Sequence, residues 1–252
     1  ETLLLLDQRE GIEIAHTADL PGQTGLGSSS SFTVGLLNAL QTFNGHRSTP
    51  EDLARQAIHI ERERVGDAGG WQDQYEAAYG GFRRIEFGPN DAVRVLDVDV
   101  SAARLRELES HLLLFYMGTE CSGMPILQNQ EKRTAENETT LGRMRQMVDQ
   151  AEQILTGTSP LAEFGDLLHE SWQLKRSLSS GISTPQIDQA YATARAAGAR
   201  GGKLLGAGGR GFVCLFVEPP QQAAVRTALH GLAEVRFRFA SEGSRIIFSS
   251  DD

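Results

Sequence analysis

The chain has 252 residues, of which 40% are hydrophobic and 23% are charged, a composition that is ordinary for a globular protein and argues against intrinsic disorder. Its 24 basic and 33 acidic residues give a formal net charge of −9, so we expect no broad electrostatic binding to nucleic acid. No apolar run approaches the ~18 residues of a membrane-spanning helix, and the N-terminus does not resemble a signal peptide.

The two cysteines, Cys121 and Cys214, show neither metal-ligand spacing nor a disulfide framework. We interpret them as free thiols, which are common in protein interiors. Together with the missing membrane and signal segments, they predict a cytoplasmic protein without a membrane partner.

The first half of the chain mixes strand and helix patterns. Residues 11–19 alternate apolar and polar side chains, as a half-buried strand does. A glycine-rich turn at 21–27 precedes a helical pattern over 28–43, and Thr49 with Pro50 marks the start of a helix that runs toward Arg64. A short helix at 75–79 and two strands, at 82–87 and 92–100, follow.

The second half is mostly helical before it returns to strands. A buried strand at 112–117 leads to three predicted helices, at 125–156, 160–178 and 185–197. After the glycine-rich turn at 206–211 we predict a strand at 212–217, a helix at 221–232 and strands at 233–239 and 245–248. This pattern predicts an α+β protein with two domains, residues 1–105 and residues 106–252.

The strongest local motif is the run PGQTGLGSSSS at residues 21–31, directly before a predicted helix. Glycines let the backbone approach an anion closely, and a helix start adds unpaired N–H groups and a positive dipole end. The alternative interpretation is a flexible linker or a plain helix cap. The motif lacks the GK[ST] ending of a Walker A loop.

A second motif places Glu61 and Asp73 on either side of a glycine-rich turn. Two such carboxylates suit phosphoryl transfer, in which one holds Mg²⁺ and the other orients or deprotonates a hydroxyl. The alternative is a solvated, charged helix face, and we prefer it for Arg62, Glu63 and Arg64.

The third motif, at residues 206–211, is weak alone because glycine-rich turns between elements are common. Lys203 precedes it, and Arg210 is unusual in a turn that needs only glycine. Lys175 and Arg176, on a predicted helix, could reach an anionic substrate, but we prefer a solvated role for both.

Together, these motifs resemble those of the GHMP small-molecule kinases, a family named for galactokinase, homoserine kinase, mevalonate kinase and phosphomevalonate kinase. The Pro-x3-Gly-Leu-Gly-Ser-Ser motif lies at residues 21–29, and KLLGAGGRGF at 203–212 matches the third family motif. GGWQDQYEAAYGGF at 69–82 and LHESWQLKRSLSSGIS at 168–183 are most similar to the heptose 7-phosphate kinases within the family.

The resemblance implies a ribosomal-S5-like N-terminal domain, a ferredoxin-like C-terminal domain and an ATP- and Mg²⁺-dependent transfer to a sugar phosphate. A homodimer is compatible with it. In this scheme Asp73 faces the sugar hydroxyl, and Ser29 and Glu61 bind the metal. ATP is bound by Gly25, Leu26, Gly27, Ser28, Ser29, Ser30, Gly206, Gly208 and Gly209, and the sugar phosphate by Gly69, Gly70, Lys203 and Arg210.

Three departures from the family pattern bear on the substrate. The first family motif is absent, and we expect the chain to lack an N-terminal segment that the family carries. Trp71 stands where the heptose kinases usually have lysine, and Arg210 replaces a glycine.

Three functions follow from this pattern. The first is an anomeric kinase for a heptose 7-phosphate; the second is another GHMP sugar-1-kinase, of the fucose or galactose type. The third is a catalytically silent relative that binds a sugar phosphate or a nucleotide. A purely structural module would leave the two glycine loops and the acidic pair unexplained.

Overall fold

The computed structural model describes residues 1–9, 11–22, 24–118 and 124–249, which form two compact units. The first unit comprises Glu1–Gln23, Gly27–Asp97 and Ala240–Asp252, and the second comprises Thr24–Leu26 and Val98–Phe239. Cys121 lies outside the described residues.

Helices and a two-stranded antiparallel sheet make up the described part of the first unit. Its elements are α1 (Thr2–Leu5), α2 (Ser28–Phe43), α3 (Pro50–Ile58), a π-helix (His59–Val65), α4 (Gln72–Tyr79), β1 (Arg83–Phe87) and β2 (Val93–Asp97).

Local signals explain where the helices of the first unit begin and end. The α2 helix has the predicted bounds and follows Gly27, whose φ of 66° is left-handed. The α3 helix begins with a capping box, in which the Thr49 hydroxyl accepts from the Asp52 amide at 3.1 Å while the Asp52 carboxylate accepts from Thr49. The predicted continuation toward Arg64 is a π-helix, an uncommon form often found at functional sites, and it ends at Val65, before the left-handed Gly66.

The core of the first unit joins α2, α3 and α4 through the apolar faces that their helical periodicity creates. Its buried residues are Val34, Leu37, Leu53, Ala54, Ala57, Ile60, Tyr75 and Ala78. The core therefore holds the first turn of α4 against α2 and α3.

The C-terminal segment packs on the first unit, whereas the sequence placed it in the second domain, with a boundary at residue 105. The Gly81 amide donates to the Ala240 carbonyl at 3.2 Å, and the Ser244 amide donates to the Ala77 carbonyl at 2.9 Å. These bonds join residues more than 150 positions apart, and no local pattern reveals them.

Two predicted strands, at 11–19 and 245–248, are not assigned as strands. Their alternating pattern describes which side chains face an interior, but a strand also requires a neighbouring strand for its backbone hydrogen bonds. The strand predicted over 92–100 is shorter, at Val93–Asp97, where it pairs with Arg83–Phe87.

The second unit combines a four-stranded antiparallel sheet with helices. Its described elements are α5 (Ala102–His111), β3 (Leu112–Tyr116), α6 (Met124–Lys132), α7 (Glu138–Thr156), α8 (Ala162–Ser177), α9 (Pro185–Ala196), β4 (Gly201–Leu204), β5 (Phe212–Phe216), a 3₁₀ turn (Pro219–Gln221), α10 (Gln222–Ala228) and β6 (Ala233–Val235). The strand order is β4-β5-β3-β6.

The helix predicted over 125–156 is two helices, because residues 133–137 form turns between α6 and α7. Within this break the Asn137 side chain donates to the Leu178 carbonyl at 2.9 Å, a tertiary bond that the periodicity does not encode. The helix predicted at 221–232 ends earlier, at Ala228, and the strand predicted at 233–239 ends at Val235.

The core of the second unit lies between this sheet and its helices and contains Trp172, Tyr191 and Leu215, each at most 5% exposed. The predicted α+β class is confirmed. In the part of the chain that the structure describes, no helix has both the length and the apolarity to span a membrane.

The return of the C-terminal segment can be tested with Gly80→Ala. A Cβ at this left-handed position would lie 2.1 Å from the Glu242 carbonyl carbon, so the segment must move away. We expect faster amide exchange at residues 240–249 in hydrogen–deuterium exchange mass spectrometry.

Gly35→Ala is the matched control, because no atom lies within 4 Å of its added Cβ and its place inside α2 favours alanine by about 0.5–1 kcal/mol. Equal exchange at residues 240–249 in both variants would contradict the packing.

Candidate functional site

The first unit holds a buried carboxylate surrounded by neutral hydrogen-bond donors. Glu61 is 6% exposed. Its Oε1 accepts from Ser29 Oγ at 2.8 Å and from Thr33 Oγ1 at 3.1 Å, and its Oε2 accepts from Ser30 Oγ at 2.8 Å and from Gln74 Nε2. Burying a charged group requires such bonds, and here every donor is uncharged.

Three elements bring these donors together. Ser29, Ser30 and Thr33 occupy one face of the first turns of α2, where positions three and four apart are neighbours. The π-helix supplies Glu61, and α4 supplies Gln74. Among the described residues, no basic side chain pairs with Glu61.

The donor set fits a hard divalent cation. The carboxylate and the Ser29 hydroxyl are adjacent oxygen donors of the type that Mg²⁺ prefers, and Ser29 is the exposed member of the cluster. Within the described ranges, no group of three or more His, Cys, Asp or Glu side chains could hold a metal ion. A cation here would therefore take its remaining ligands from water or from a bound anion.

Asp73 lies in the first turn of α4, as the sequence predicted, and is half-buried. A Cβ built on Gly27 would lie 3.4 Å from the Asp73 Cγ and 3.5 Å from its Oδ2, so the carboxylate lies against the N-terminal end of α2. The Gln72 Nε2 donates to its Oδ1 at 3.2 Å. Desolvation, followed by the charge of Asp73, raises the pKa of Glu76, and Arg83 opposes the shift.

The segment leading into α2 presents backbone donors. The N–H groups of five residues donate to no acceptor within the part of the chain that the structure describes: Gly25, Leu26, Gly27, Ser29 and Ser30. The first N–H groups of a helix lack partners inside it, and the dipole makes this end positive. The segment can therefore bind an anion through its backbone. Ser28, which the sequence predicts to bind ATP, is the first residue of α2.

In the second unit, two glycine-rich segments meet backbone to backbone. A Cβ on Gly25 would lie 2.9 Å from the Leu205 carbonyl oxygen, and one on Gly206 would lie 2.5 Å from the Gly25 Cα. A Cβ on Gly211 would lie 2.1 Å from the carbonyl oxygen of Thr24, a residue that is 1% exposed. These glycines are required because no side chain fits at these contacts.

The 206–211 turn is also tied to its surroundings. The Lys175 ammonium donates to the Gly206 carbonyl, and the Gly209 amide donates to the Ile182 carbonyl at 3.0 Å. Gly208 packs on the Ile182 backbone, where a Cβ would lie 2.7 Å from the Ile182 Cα. From the sequence alone, a solvated role is preferred for Lys175. The hydrogen bond to Gly206 shows that this side chain also makes a tertiary contact with the turn.

Lys203 and Arg210 are both half-buried. Lys203 is the cross-strand neighbour of Cys214, and burial lowers its pKa while Cys214 opposes the shift. Burial raises the pKa of the Cys214 thiol to about 11, against a lowering effect of Lys203.

The turn between Glu61 and Asp73 is internally bonded. The Gly69 amide donates to the Asp67 carboxylate at 2.7 Å, and the Gly69 carbonyl accepts from Arg62. Gly70 is exposed beside it, and Trp71 packs edge-on against Phe87 with ring centroids 6.4 Å apart.

The solvated role preferred for three charged residues before this turn is only partly right. Glu63 pairs with His59 at 2.9 Å, and Arg64 approaches Glu1 at 3.4 Å. Arg62, however, holds the turn through the Gly69 carbonyl.

Sequence reasoning missed Thr33 and Gln74. Thr33 follows Ser29 by one helical turn, and Gln74 follows Asp73 directly. Their spacing from predicted site residues was therefore a signal in the sequence that they lie near the site. What decided their role is contact with Glu61, which lies 28 and 13 residues away in the chain. The roles assigned to the site residues as a set stay predictions.

Two family models match the chain. The GHMP kinases N terminal domain matches residues 1–81, and the GHMP kinases C terminal model matches residues 150–232. The predicted family resemblance and fold class are thereby confirmed.

Individual relatives include heptose-phosphate kinases. The chain is 32% identical over 235 residues to the D-glycero-alpha-D-manno-heptose 7-phosphate kinase of Campylobacter jejuni subsp. jejuni serotype O:2, covering 90% of this chain and 68% of the relative. A D-glycero-D-manno-heptose 1-phosphate kinase structure from Bacteriodes thetaiotaomicron is 29% identical with a TM-score of 0.64, covering 92% and 66%.

A second solved structure, a putative sugar kinase from Campylobacter jejuni, is also 29% identical, with a TM-score of 0.63. The match covers 89% of this chain and 65% of that one. The chain thus spans about two thirds of the length of these relatives.

The close approach of the two glycine segments can be tested with Gly25→Ala against Gly45→Ala. The two positions have φ of 78° and 77°, so alanine carries the same backbone strain of about 1–2 kcal/mol at each. Only Gly25 has neighbours within 4 Å of the added Cβ. We expect Gly25→Ala to lower the free energy of unfolding by about 1–3 kcal/mol more than Gly45→Ala does, as overpacking does elsewhere.

Urea denaturation followed by circular dichroism gives this difference. Equal losses in the two variants would mean that only φ, and not the contact, requires glycine at position 25.

Proposed function

The chain belongs to the GHMP kinase family, and on that basis we propose that it is an ATP-dependent sugar kinase. Its acceptor in this proposal is the anomeric hydroxyl of a heptose 7-phosphate, D-glycero-D-manno-heptose 7-phosphate, and its product is the 1,7-bisphosphate. The observation that carries the proposal is the position of Asp73, whose carboxylate lies against Gly27 at the start of α2.

Asp73 acts as the base in this mechanism. Its carboxylate accepts the proton of the anomeric hydroxyl as the hydroxyl oxygen attacks the γ-phosphorus of ATP. The bond between that phosphorus and the β,γ-bridging oxygen breaks, ADP leaves, and Asp73 later returns the proton to water. Positioning and charge stabilisation supply most of the catalysis in phosphoryl transfer.

The backbone N–H groups of residues 25–30 would bind the ATP phosphates. The N–H groups of Gly25, Leu26, Gly27, Ser29 and Ser30 donate to no acceptor within the described residues, and this observation and the positive end of α2 both favour a triphosphate. The assignment of Gly206, Gly208 and Gly209 to ATP binding stays a prediction; within the second unit their turn packs on Gly25 and Ile182.

Ser29 and Glu61 would hold Mg²⁺. When bound, the cation would neutralise charge on the phosphate oxygens. Three of the hydroxyl and amide donors, those of Ser30, Thr33 and Gln74, keep the Glu61 carboxylate oriented in the protein interior.

The heptose phosphate is supported by the names of two relatives, which share a heptose phosphate but differ in the position of its phosphate. In this chain Gly69, Gly70, Lys203 and Arg210 would contact the sugar phosphate. Trp71 favours a second candidate, an anomeric kinase for a sugar without the distal phosphate. It stands where the heptose kinases usually have lysine, and instead of a cation it supplies a ring that packs on Phe87. A cytoplasmic location and a homodimer remain predictions.

The substrate is tested by ADP release from ATP and Mg²⁺ with a panel of D-glycero-D-manno-heptose 7-phosphate, sedoheptulose 7-phosphate, fucose and galactose. We expect the highest kcat/KM with the first. A preference for fucose or galactose would support the second candidate, and no turnover with any acceptor would support a catalytically silent relative.

Asp73→Asn tests the base. Loss of a general base lowers turnover by about 10²–10⁴-fold. Because the asparagine amide preserves the packing against Gly27, the affinity for a non-hydrolysable ATP analogue should stay within about twofold, less than ~0.5 kcal/mol. Steady-state kinetics and calorimetry measure the two quantities, with Asp149→Asn on the exposed side of α7 as the control. Full activity of Asp73→Asn would remove this residue from the mechanism.

A further inference from the structure

We propose that Gln74 is a positioning residue for Glu61: its side-chain amide holds one carboxylate oxygen so that the other faces a divalent cation. This inference rests on the proposed function, because it concerns the cation that would accompany ATP. It assigns a role to a side chain that touches neither the sugar nor the nucleotide in the proposed mechanism.

The two oxygens of the Glu61 carboxylate have different surroundings. Oε2 accepts from Ser30 and Gln74, which are 4% and 3% exposed, so this oxygen is sealed inside the unit. Oε1 accepts from Thr33 and from the exposed Ser29. A cation arriving from solvent therefore meets Oε1 and the Ser29 hydroxyl, while Oε2 keeps its two buried donors.

Only one end of the Gln74 side-chain amide has a hydrogen-bond partner among the described residues. Its Nε2 donates to Glu61, and its Oε1 is buried without a hydrogen-bond partner among the described residues. The opposite amide orientation would place two acceptors face to face, so the nitrogen must face the carboxylate. A buried acceptor without a partner reduces stability. The bond from Nε2 to the buried carboxylate stabilises the unit, and it also fixes the orientation of that carboxylate.

Gln74 also links the two acidic residues of the site. Asp73 and Gln74 are consecutive in the first turn of α4, and successive helical side chains point about 100° apart. Asp73 is directed at Gly27, and Gln74 is directed at Glu61. One helical turn thus sets the position of the proposed base and the orientation of the proposed metal ligand.

The consequence is that loss of the Gln74 amide should weaken metal binding as well as stability. Removing the Gln74 amide leaves Oε2 with one donor, and the carboxylate can rotate away from the orientation that presents Oε1. Partners that orient a metal ligand typically contribute 10–100-fold to metal affinity or activity. Methionine has a similar length and no unsatisfied polar atom, so it removes the amide without leaving a buried orphan.

Gln41 provides a matched control in the same unit. It is 7% exposed, its Nε2 donates to the Gln56 side chain at 2.7 Å, and its own Oε1 is also buried without a partner among the described residues. Gln41→Met therefore makes the same chemical change in a similar environment, but away from Glu61.

The experiment titrates Mn²⁺, followed by electron paramagnetic resonance, into the full chain saturated with a non-hydrolysable ATP analogue. At a temperature at which both variants are folded, we expect Gln74→Met to raise the Kd for Mn²⁺ by about 10–100-fold. Its thermal midpoint should lie below that of Gln41→Met, because it removes a donor from a buried charge. Turnover of this variant should fall at low Mg²⁺ and recover toward the wild-type kcat at saturating Mg²⁺. Gln41→Met should bind Mn²⁺ like the wild type.

Wild-type Mn²⁺ affinity in Gln74→Met would overturn the proposal. If that variant does not fold, Ser30→Ala removes the other donor to Oε2 and keeps the backbone amide. Weaker Mn²⁺ binding by Ser30→Ala would support the proposal, and unchanged binding would overturn it.

Glu61→Gln separates this inference from the proposed function. If it binds Mn²⁺ like the wild type, the metal does not use Glu61, and the role of Gln74 is overturned. If no sugar is phosphorylated but Gln74→Met still weakens Mn²⁺ binding, the proposed function fails and the inference stands.

Discussion

A buried carboxylate that has no basic partner among the described residues imposes the strongest constraint on the first unit. Transferring a carboxylate out of water is unfavourable unless charge-assisted hydrogen bonds replace the lost hydration. Glu61 obtains them from the first turns of α2 and from α4, so three separate elements must meet at one point. Because all of the donors are neutral, the negative charge of Glu61 remains available to a cation, in contrast with a buried carboxylate that is paired with arginine or lysine.

The second unit depends on a constraint of another kind, which is the absence of side chains. Gly25, Gly206 and Gly211 allow two backbone segments to approach within distances that exclude a Cβ atom. All three have φ between 71° and 101°, so other residues would also be strained there. Close packing of one glycine segment on another makes this part of the backbone rigid. In the proposed function, that rigidity would hold backbone N–H groups in place for a phosphate.

Membership in a kinase family identifies the fold and the type of chemistry, whereas the acceptor sugar depends on a few side chains around that shared site. Trp71 illustrates the difference. Its ring packs against the first-unit core and Phe87. Its effect on the choice of acceptor therefore depends on which groups of the adjacent turn, with Gly69 and Gly70, can contact a ligand. The similarity to heptose-phosphate kinases supports one class of acceptor, and Trp71 is one of the three departures from the family pattern.

The sequence by itself determined the features that depend on neighbouring residues: the bounds of α2, the start of α3 at Thr49 and Pro50, and the pairing of β1 with β2. Its motifs also identified the family. These follow from short-range sterics, capping and motif spacing. Only the tertiary structure decided that the C-terminal segment packs on Gly80 and Gly81, that residues 11–19 form no strand, and that Thr33 and Gln74 surround Glu61. The reason is physical, because hydrogen bonds and close contacts between distant segments depend on how whole elements pack. The periodicity of a segment indicates which of its side chains are buried, but not which other segment they contact.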